Sequence, residues 1–343
     1  MATTFAVPDG RVAMAATLYT GTGATRTVSN AVNAVGMQPD FVWIKRRDVV
    51  NYHVLTDSVR GVLKEIYTNV TTAEATLTTY GVNAFNSDGF SLLGAGYDYN
   101  ANAGTFVGWQ WKAGGTAVSN TAGTITSSVS ANTTAGFSVV TYTGSGSSST
   151  VGHGLGVVPS MIIVKRRDVA DNWAVYHASL GNTIAMFLNL TQAQYANVVY
   201  WDNTSPTSTV FTVRSATEVN ASGGSYVAYC WAPVAGYSAF GSYTGNGSAD
   251  GPFIYTGFLP RWLMIKRTDA TLSWGIFDTS RNPSNVVNLQ LYANLLAADN
   301  TFTTMDIVSN GFKSRSATEY NTSGGTYIYA AYAENPLKYA NAR

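Results

Sequence analysis

The side chains best placed to do chemistry are three short cationic clusters. Lys45-Arg46-Arg47-Asp48, Lys165-Arg166-Arg167-Asp168 and Lys266-Arg267-Thr268-Asp269 each follow an apolar run: Phe41-Val42-Trp43-Ile44, Met161-Ile162-Ile163-Val164 and Trp262-Leu263-Met264-Ile265. As a site, Lys45, Arg46, Arg47, Lys165, Arg166, Arg167, Lys266 and Arg267 would contact an anionic glycan, a lipopolysaccharide phosphate or a protein partner. As structure, they are solvated charge ending a buried strand, partly neutralised by the following Asp. The structural reading is the commoner outcome.

Other chemistry finds little support. Twelve residues past each lysine stand Asp57, His177 and Asp278. A ligating or catalytic role would not tolerate exchange of carboxylate for imidazole, so polar strand ends are expected there. The histidines, His53, His153 and His177, lie at non-equivalent positions, and no His-x-x-x-His or Cys-x-x-Cys spacing supports zinc. No Gly-x-Ser-x-Gly elbow occurs. Gly152-His153-Gly154-Leu155-Gly156 reads as a Gly-rich connection, because no helix follows it. Arg214 with Glu218, and Arg315 with Glu319, read as surface pairs holding a loop. No catalytic residue, cofactor or metal is expected.

Composition narrows the classes further. The chain has 343 residues and a net charge of +1, with 20 basic against 19 acidic side chains. Charged residues make up 11%, under half the roughly 25% of ordinary domains. Nucleic-acid binding, which needs clustered cations, is excluded on that ground. Apolar residues at 45% and aromatics at 13% suffice for sizeable cores. No apolar run approaches the ~20 residues of a membrane span. The N-terminal residues show no secretory signal, and Cys230 has no partner in the chain. Synthesis in a cytoplasm without disulfides is the expectation.

The clusters sit inside a longer repeat. Tyr19-Thr20-Gly21, Tyr142-Thr143-Gly144 and Tyr243-Thr244-Gly245 precede them; Asn-containing turns at Asn100, Asn220 and Asn321 follow. From each motif lysine to the aromatic opening the last strand (Phe106, Tyr226, Tyr327) the distance is 61 residues every time. Three copies of a domain of about a hundred residues are implied. Expected boundaries are 1–113 with a short N-terminal arm, a Gly/Ser/Thr linker or extended connecting strand at 114–135, then 136–235 and 236–343. The short Pro233–Gly236 connection implies that copies two and three pack together, with copy one more independent. The copies could also close around a pseudo-threefold axis.

Within a copy, short runs rich in Val, Ile, Tyr, Phe and Trp alternate with Gly, Asn, Ser and Asp, which is strand-and-turn punctuation. Val107, Trp109 and Trp111 share one strand face, as do Val227, Tyr229, Trp231 and Ile328, Ala330, Tyr332. The expected class is all-β: three tandem antiparallel β-sandwich, jelly-roll-like domains. Helical turns are expected only at 285–298 and 71–75.

The combination of Asp57-Ser58-Val59-Arg60-Gly61, Phe85-Asn86-Ser87-Asp88-Gly89-Phe90, Gly152-His153-Gly154-Leu155-Gly156-Val157-Val158-Pro159 and Tyr329-Ala330-Ala331-Tyr332-Ala333-Glu334-Asn335-Pro336 with the lysine motif resembles a family of repeat-bearing tailed-bacteriophage tail-fibre or tail proteins. The resemblance runs from about Leu18 to Arg343. It implies a virion protein on the particle exterior, partnered with other tail or capsid proteins and with host surface polysaccharide, and a homotrimer. Unlike longer fibres, this chain has no evident coiled-coil shaft, β-helix or enzymatic spike. The expected function is therefore a non-enzymatic tail fibre or receptor-binding component. The alternatives are a capsid decoration or head-fibre protein and a glycan-degrading tail enzyme.

Overall fold

A computed structural model describes residues 5–32 and 35–336. Strands β1 to β9 span Met14–Thr20, Arg26–Ser29, Phe41–Arg46, His53–Asp57, Lys64–Tyr67, Ala75–Thr76, Gly81–Asn86, Gly89–Leu93 and Thr105–Trp111. Strands β10 to β19 span Val118–Asn120, Ser127–Asn132, Phe137–Thr143, Ser149–Gly152, Met161–Arg166, Trp173–His177, Ile184–Phe187, Tyr195–Ala196, Val210–Val213 and Ser225–Trp231. Strands β20 to β27 span Ser238–Thr244, Phe253–Tyr255, Phe258–Arg267, Gly275–Asp278, Val287–Tyr292, Asn300–Val308, Gly311–Ser314 and Thr326–Pro336. Two one-turn helices, α1 (Val198–Trp201) and α2 (Thr217–Asn220), interrupt the second set.

One strand order occurs three times. The sheets contain β1-β9-β3-β4-β5-β6, then β12-β19-β14-β15-β16-β17, then β20-β27-β22-β23-β24-β25. Every pairing is antiparallel and equivalent residues meet: Phe41 opposes Trp111, Met161 opposes Trp231 and Trp262 opposes Tyr332. The all-β expectation holds. A smaller sheet lies over one face of each main sheet: β2-β8-β7, β13-β18 and the β25-β26-β21 end of the third.

The period-two alternation of the last strands explains the layering. In copy one Phe106 turns to its own sandwich core with Val28, Val42, Ile44 and Phe90. Val107, Trp109 and Trp111 turn the other way, into a core shared with Phe137, Met161 and Trp231 of copy two and Trp262, Met264 and Tyr332 of copy three. Trp111 meets Trp231, Trp262 and Tyr332 edge-on, with centroids 6.3, 5.3 and 5.4 Å away. Offset and edge contacts of this kind add about 0.5–1.5 kcal/mol each beyond area burial.

The motif tyrosines and asparagines are clamps within each copy. Tyr19, Tyr142 and Tyr243 donate their hydroxyls to the carbonyls of Tyr99, Val219 and Tyr320 at 2.8, 2.6 and 2.8 Å. The amides of the buried Asn100, Asn220 and Asn321 each donate to two loop carbonyls. Glycine is required after each Tyr-Thr: a Cβ at Gly21, Gly144 or Gly245 would lie within 2.3 Å of a carbonyl oxygen across the turn.

Three expectations are corrected. Of the two readings of residues 114–135, the linker gives way to the strand, since β10 and β11 extend the second sheet by pairing on β12. Copy one is no more independent than the others, because it packs on both through the shared core. No helix forms at 285–298 or 71–75; Val287, Gln290 and Leu291 are instead buried within β24, where strand pairing overrides local helical preference.

Candidate functional site

The buried Lys45, Lys165 and Lys266 sit at the junctions between copies. Lys165 Nζ donates to the carbonyls of Asp171 in its own copy and Thr71 in the first, at 2.7 and 2.8 Å. Lys266 does the same with Leu272 and Thr191, at 2.6 and 2.9 Å. Lys45 completes the ring with Asn51 and Leu296, at 2.7 and 2.9 Å. Backbone bonds repeat as well: the N–H groups of Glu74, Gln194 and Asp299 donate to the carbonyls of Arg167, Thr268 and Arg47. Copy one thus joins two, two joins three, and three joins one through equivalent atoms. Burial pulls the lysine pKa values down to about 7, 8 and 7 for Lys45, Lys165 and Lys266. The ammonium groups of these three lysines are enclosed and spent on carbonyls rather than ending in solvent.

The arginines divide into two kinds. Arg46, Arg166 and Arg267 fold back on Asp48, Asp168 and Asp269 at 2.9–3.0 Å. Arg47 and Arg167 cross the junctions to Asp299 at 2.7 Å and Glu74 at 2.9 Å. The third copy has Thr268 at that position, facing the segment that carries Gln194. Where one side loses its cation, the other lacks the anion.

Asp57, His177 and Asp278 lie on the same junctions, buried. Asp57 accepts from Tyr229 Oη of copy two at 2.7 Å, and Arg60 binds it at 2.5 Å while reaching Glu74 at 3.0 Å. Asp278 accepts from Trp109 Nε1 of copy one at 3.0 Å, and Arg281 binds it at 2.6 Å while reaching Asp299 at 2.9 Å. Burial would raise the Asp278 pKa, but Arg281 holds it below the ordinary carboxylate value. At the remaining junction His177 Nε2 meets the Tyr329 carbonyl at 3.2 Å, and Leu180 replaces the arginine. The available signal was the Asp-x-x-Arg spacing of Asp57/Arg60 and Asp278/Arg281, absent from His177/Leu180. The expected Arg–Glu loop pairs do not form: Arg214 binds Asp202 at 3.0 Å and Arg315 binds Asp306 at 3.5 Å.

One predicted residue does border an open cavity. Arg167 lines a groove of about 370 Å³ on the second sheet with Ser119, Ser128, Thr141, Thr143 and Ser225. The registers build it: Ser119 opposes Ser128, Ser128 opposes Thr141, and Thr143 opposes Ser225. The hydroxyls thus form rows across β10, β11, β12 and β19. Glu74 grips Arg167 through Nε and Nη2, both at 2.9 Å, fixing the guanidinium at the rim. Copies one and three lack this groove wall because β1 and β20 have no equivalent of β11 beside them. Hydroxyl rows that both donate and accept suit a polyhydroxylated ligand. Among the described residues no group of three or more His, Cys, Asp or Glu could hold a metal.

Fold and site together define a closed ring of β-sandwiches in one chain, with the motif lysines and two Asp–Arg pairs enclosed at its junctions and a hydroxyl-lined groove outside. The chain belongs to the family described as a domain of unknown function (DUF7483), whose model matches residues 12–336 and so covers all three copies. No curated protein and no solved structure matches it.

Proposed function

We propose that this chain is an exterior bacteriophage virion protein, a non-enzymatic tail fibre or receptor-binding component that contacts host-surface glycan. The virion setting rests on the sequence resemblance; the observation that carries glycan contact is the groove over β10–β12, where a segment found in the second copy alone adds rows of Ser and Thr beside a fixed arginine. The buried acids Asp57 and Asp278 support a binding role over hydrolysis, since both are occupied by arginine and by a neighbour's donor.

The deciding experiment locates the chain in a reconstructed particle and tests whether the purified protein blocks adsorption. Placement on the tail with competition supports the reading; absence from the particle overturns it. Ser128→Ala with Thr141→Val should weaken adsorption blocking without changing the fold. A second reading, capsid decoration or head fibre, draws on the closed ring of three junctions, which a threefold position on a shell would match. Attachment across the capsid would select it. The trimer expected from the resemblance is tested by measuring the mass in solution.

A further inference from the structure

The small sheets give the three copies an internal control on a face that the groove does not touch. The inward residues of their equivalent strands are alike: Val28, Val151 and Ile254, opposite Phe90, Phe211 and Phe312. The outward residues differ. Copy one presents Thr27 and Ser29, whereas in copy two Thr150 and the buried Gly152 are covered by the segment carrying Asn120 and Thr124. Thr27 bonds Ser91 and Ser29 bonds Asp88, while Thr150 is bonded by Thr124. Copy three presents Phe253 and Tyr255, 49% and 63% exposed, on β21 at the end of its sheet.

Packing does not require these aromatics. The Phe253 ring lies beside Gly311, where a Cβ would come within 2.9 Å of it. Copy one has Gly89 at the same register with only Thr27 and Ser29 across from it. Nor is the patch charged. Lys313, opposite Phe253, is paired with Asp250, and Arg315 with Asp306. Side chains two residues apart leave the same strand face about 7 Å from each other, a spacing on the scale of a sugar ring. Their exposed area, about 100 Å² each, falls far below the ~800 Å² per partner of a stable protein interface.

We propose that Phe253 and Tyr255 form a stacking platform for a neutral saccharide, with the Lys313–Asp250 and Arg315–Asp306 pairs at its edge as hydrogen-bonding groups for hydroxyls. The apolar faces of sugar rings lie on the two aromatics. Internally paired charge gives no preference for uronate or phosphate. The platform stands apart from the groove over β10–β12, and either can fail without the other.

The test applies the full chain to an array of neutral hexose and deoxyhexose oligosaccharides, with uronate and sialylated ones beside them. Retention on at least one neutral class is expected, insensitive to raising NaCl from about 0.1 to about 0.5 M. Phe253→Thr with Tyr255→Ser, the pair that copy one carries, should weaken that retention at least about tenfold at an unchanged melting temperature. Thr27→Phe with Ser29→Tyr, building the same pair on copy one, should add sites. The Phe253/Tyr255 change should cause the same fold loss when added to a Ser128→Ala, Thr141→Val background, which separates this site from the groove. Unaltered retention in the Phe253/Tyr255 variant, or salt-sensitive retention of acidic glycans alone, overturns the proposal. So does a change from dimer to monomer in that variant without loss of glycan, which would make the face a contact between copies of the chain.

Discussion

The junction between copies one and two and the junction between copies two and three share a backbone and differ in chemistry. Both have a buried lysine bridging two loop carbonyls, and both join equivalent segments of neighbouring copies. At the first, Asp57, Arg60, Glu74, Arg167 and Tyr229 form an ionic network; at the second, the equivalent residues are His177, Leu180, Gln194, Thr268 and Ala330. The third junction follows the first, with Asp278, Arg281, Asp299, Arg47 and Trp109. The charges are present or absent as a set. A buried ion pair is tolerable only when complete, and removing one partner leaves an uncompensated charge.

The largest effect that would sharpen this comparison is a broken set. Arg281→Leu leaves Asp278 buried without its cation and should cost about 3–5 kcal/mol, read by urea unfolding. Leucine at the same place in the second junction is native. Replacing the whole first set by neutral groups (Asp57→His, Arg60→Leu, Glu74→Gln, Arg167→Thr, with Tyr229→Phe to keep the buried ring) should recover most of that kind of loss. Equal damage from the single and the fivefold change would break the comparison.

Acid should separate the junctions by pH. Burial lowers the His177 pKa to about 4 from 6.5, so the unfolded chain takes up this proton first. Its contribution is complete above about pH 6.5 and is lost as the pH falls to about 4, amounting to about 3 kcal/mol. His177→Gln should flatten that part of the stability curve. The slope left by His53 and His153, also held below the ordinary value by burial, should remain. Asp278, with its pKa lowered from 3.8, contributes above that pH and loses its contribution only under stronger acid.

The lysines are common to all junctions and act in the alkaline range. Their lowered pKa values mean that the unfolded chain holds more protons between about pH 7 and 10, so stability should rise with pH across that window. Lys266→Met should cost about 1–3 kcal/mol at pH 7 and reduce the rise, as measured by melting temperature against pH. The smallest effect is expected at the rim: Arg267→Ala removes a partly exposed pair with Asp269 and should cost about 0–1 kcal/mol.

Much of the fold was legible because it depends on local periodicity. The 61-residue register, the alternation of Val107, Trp109 and Trp111 and the Asn turns recur in the fold as strand order, shared face and buried clamps. The lysines, which sequence places in solvent at the strand ends, are buried. Sequence shows where a strand stops being apolar, but not that a loop from another copy covers it, as Thr71, Thr191 and Leu296 do. The groove was hidden for a similar reason. A stretch of Ser, Thr and Gly has the composition of a linker until pairing on β12 lines up its hydroxyls.

What the amino-acid order determined by itself was the repeated unit: which residues alternate, where turns fall, and which positions must be glycine, tyrosine or asparagine. Those features arise from contacts closed within one copy. Tertiary structure alone decided which charges are buried, which carboxylate meets which neighbour's donor, and which aromatics stay outside. Each of those depends on the surface that a second copy lays against the first, and in an antiparallel sheet identical strand patterns can face either water or another sheet.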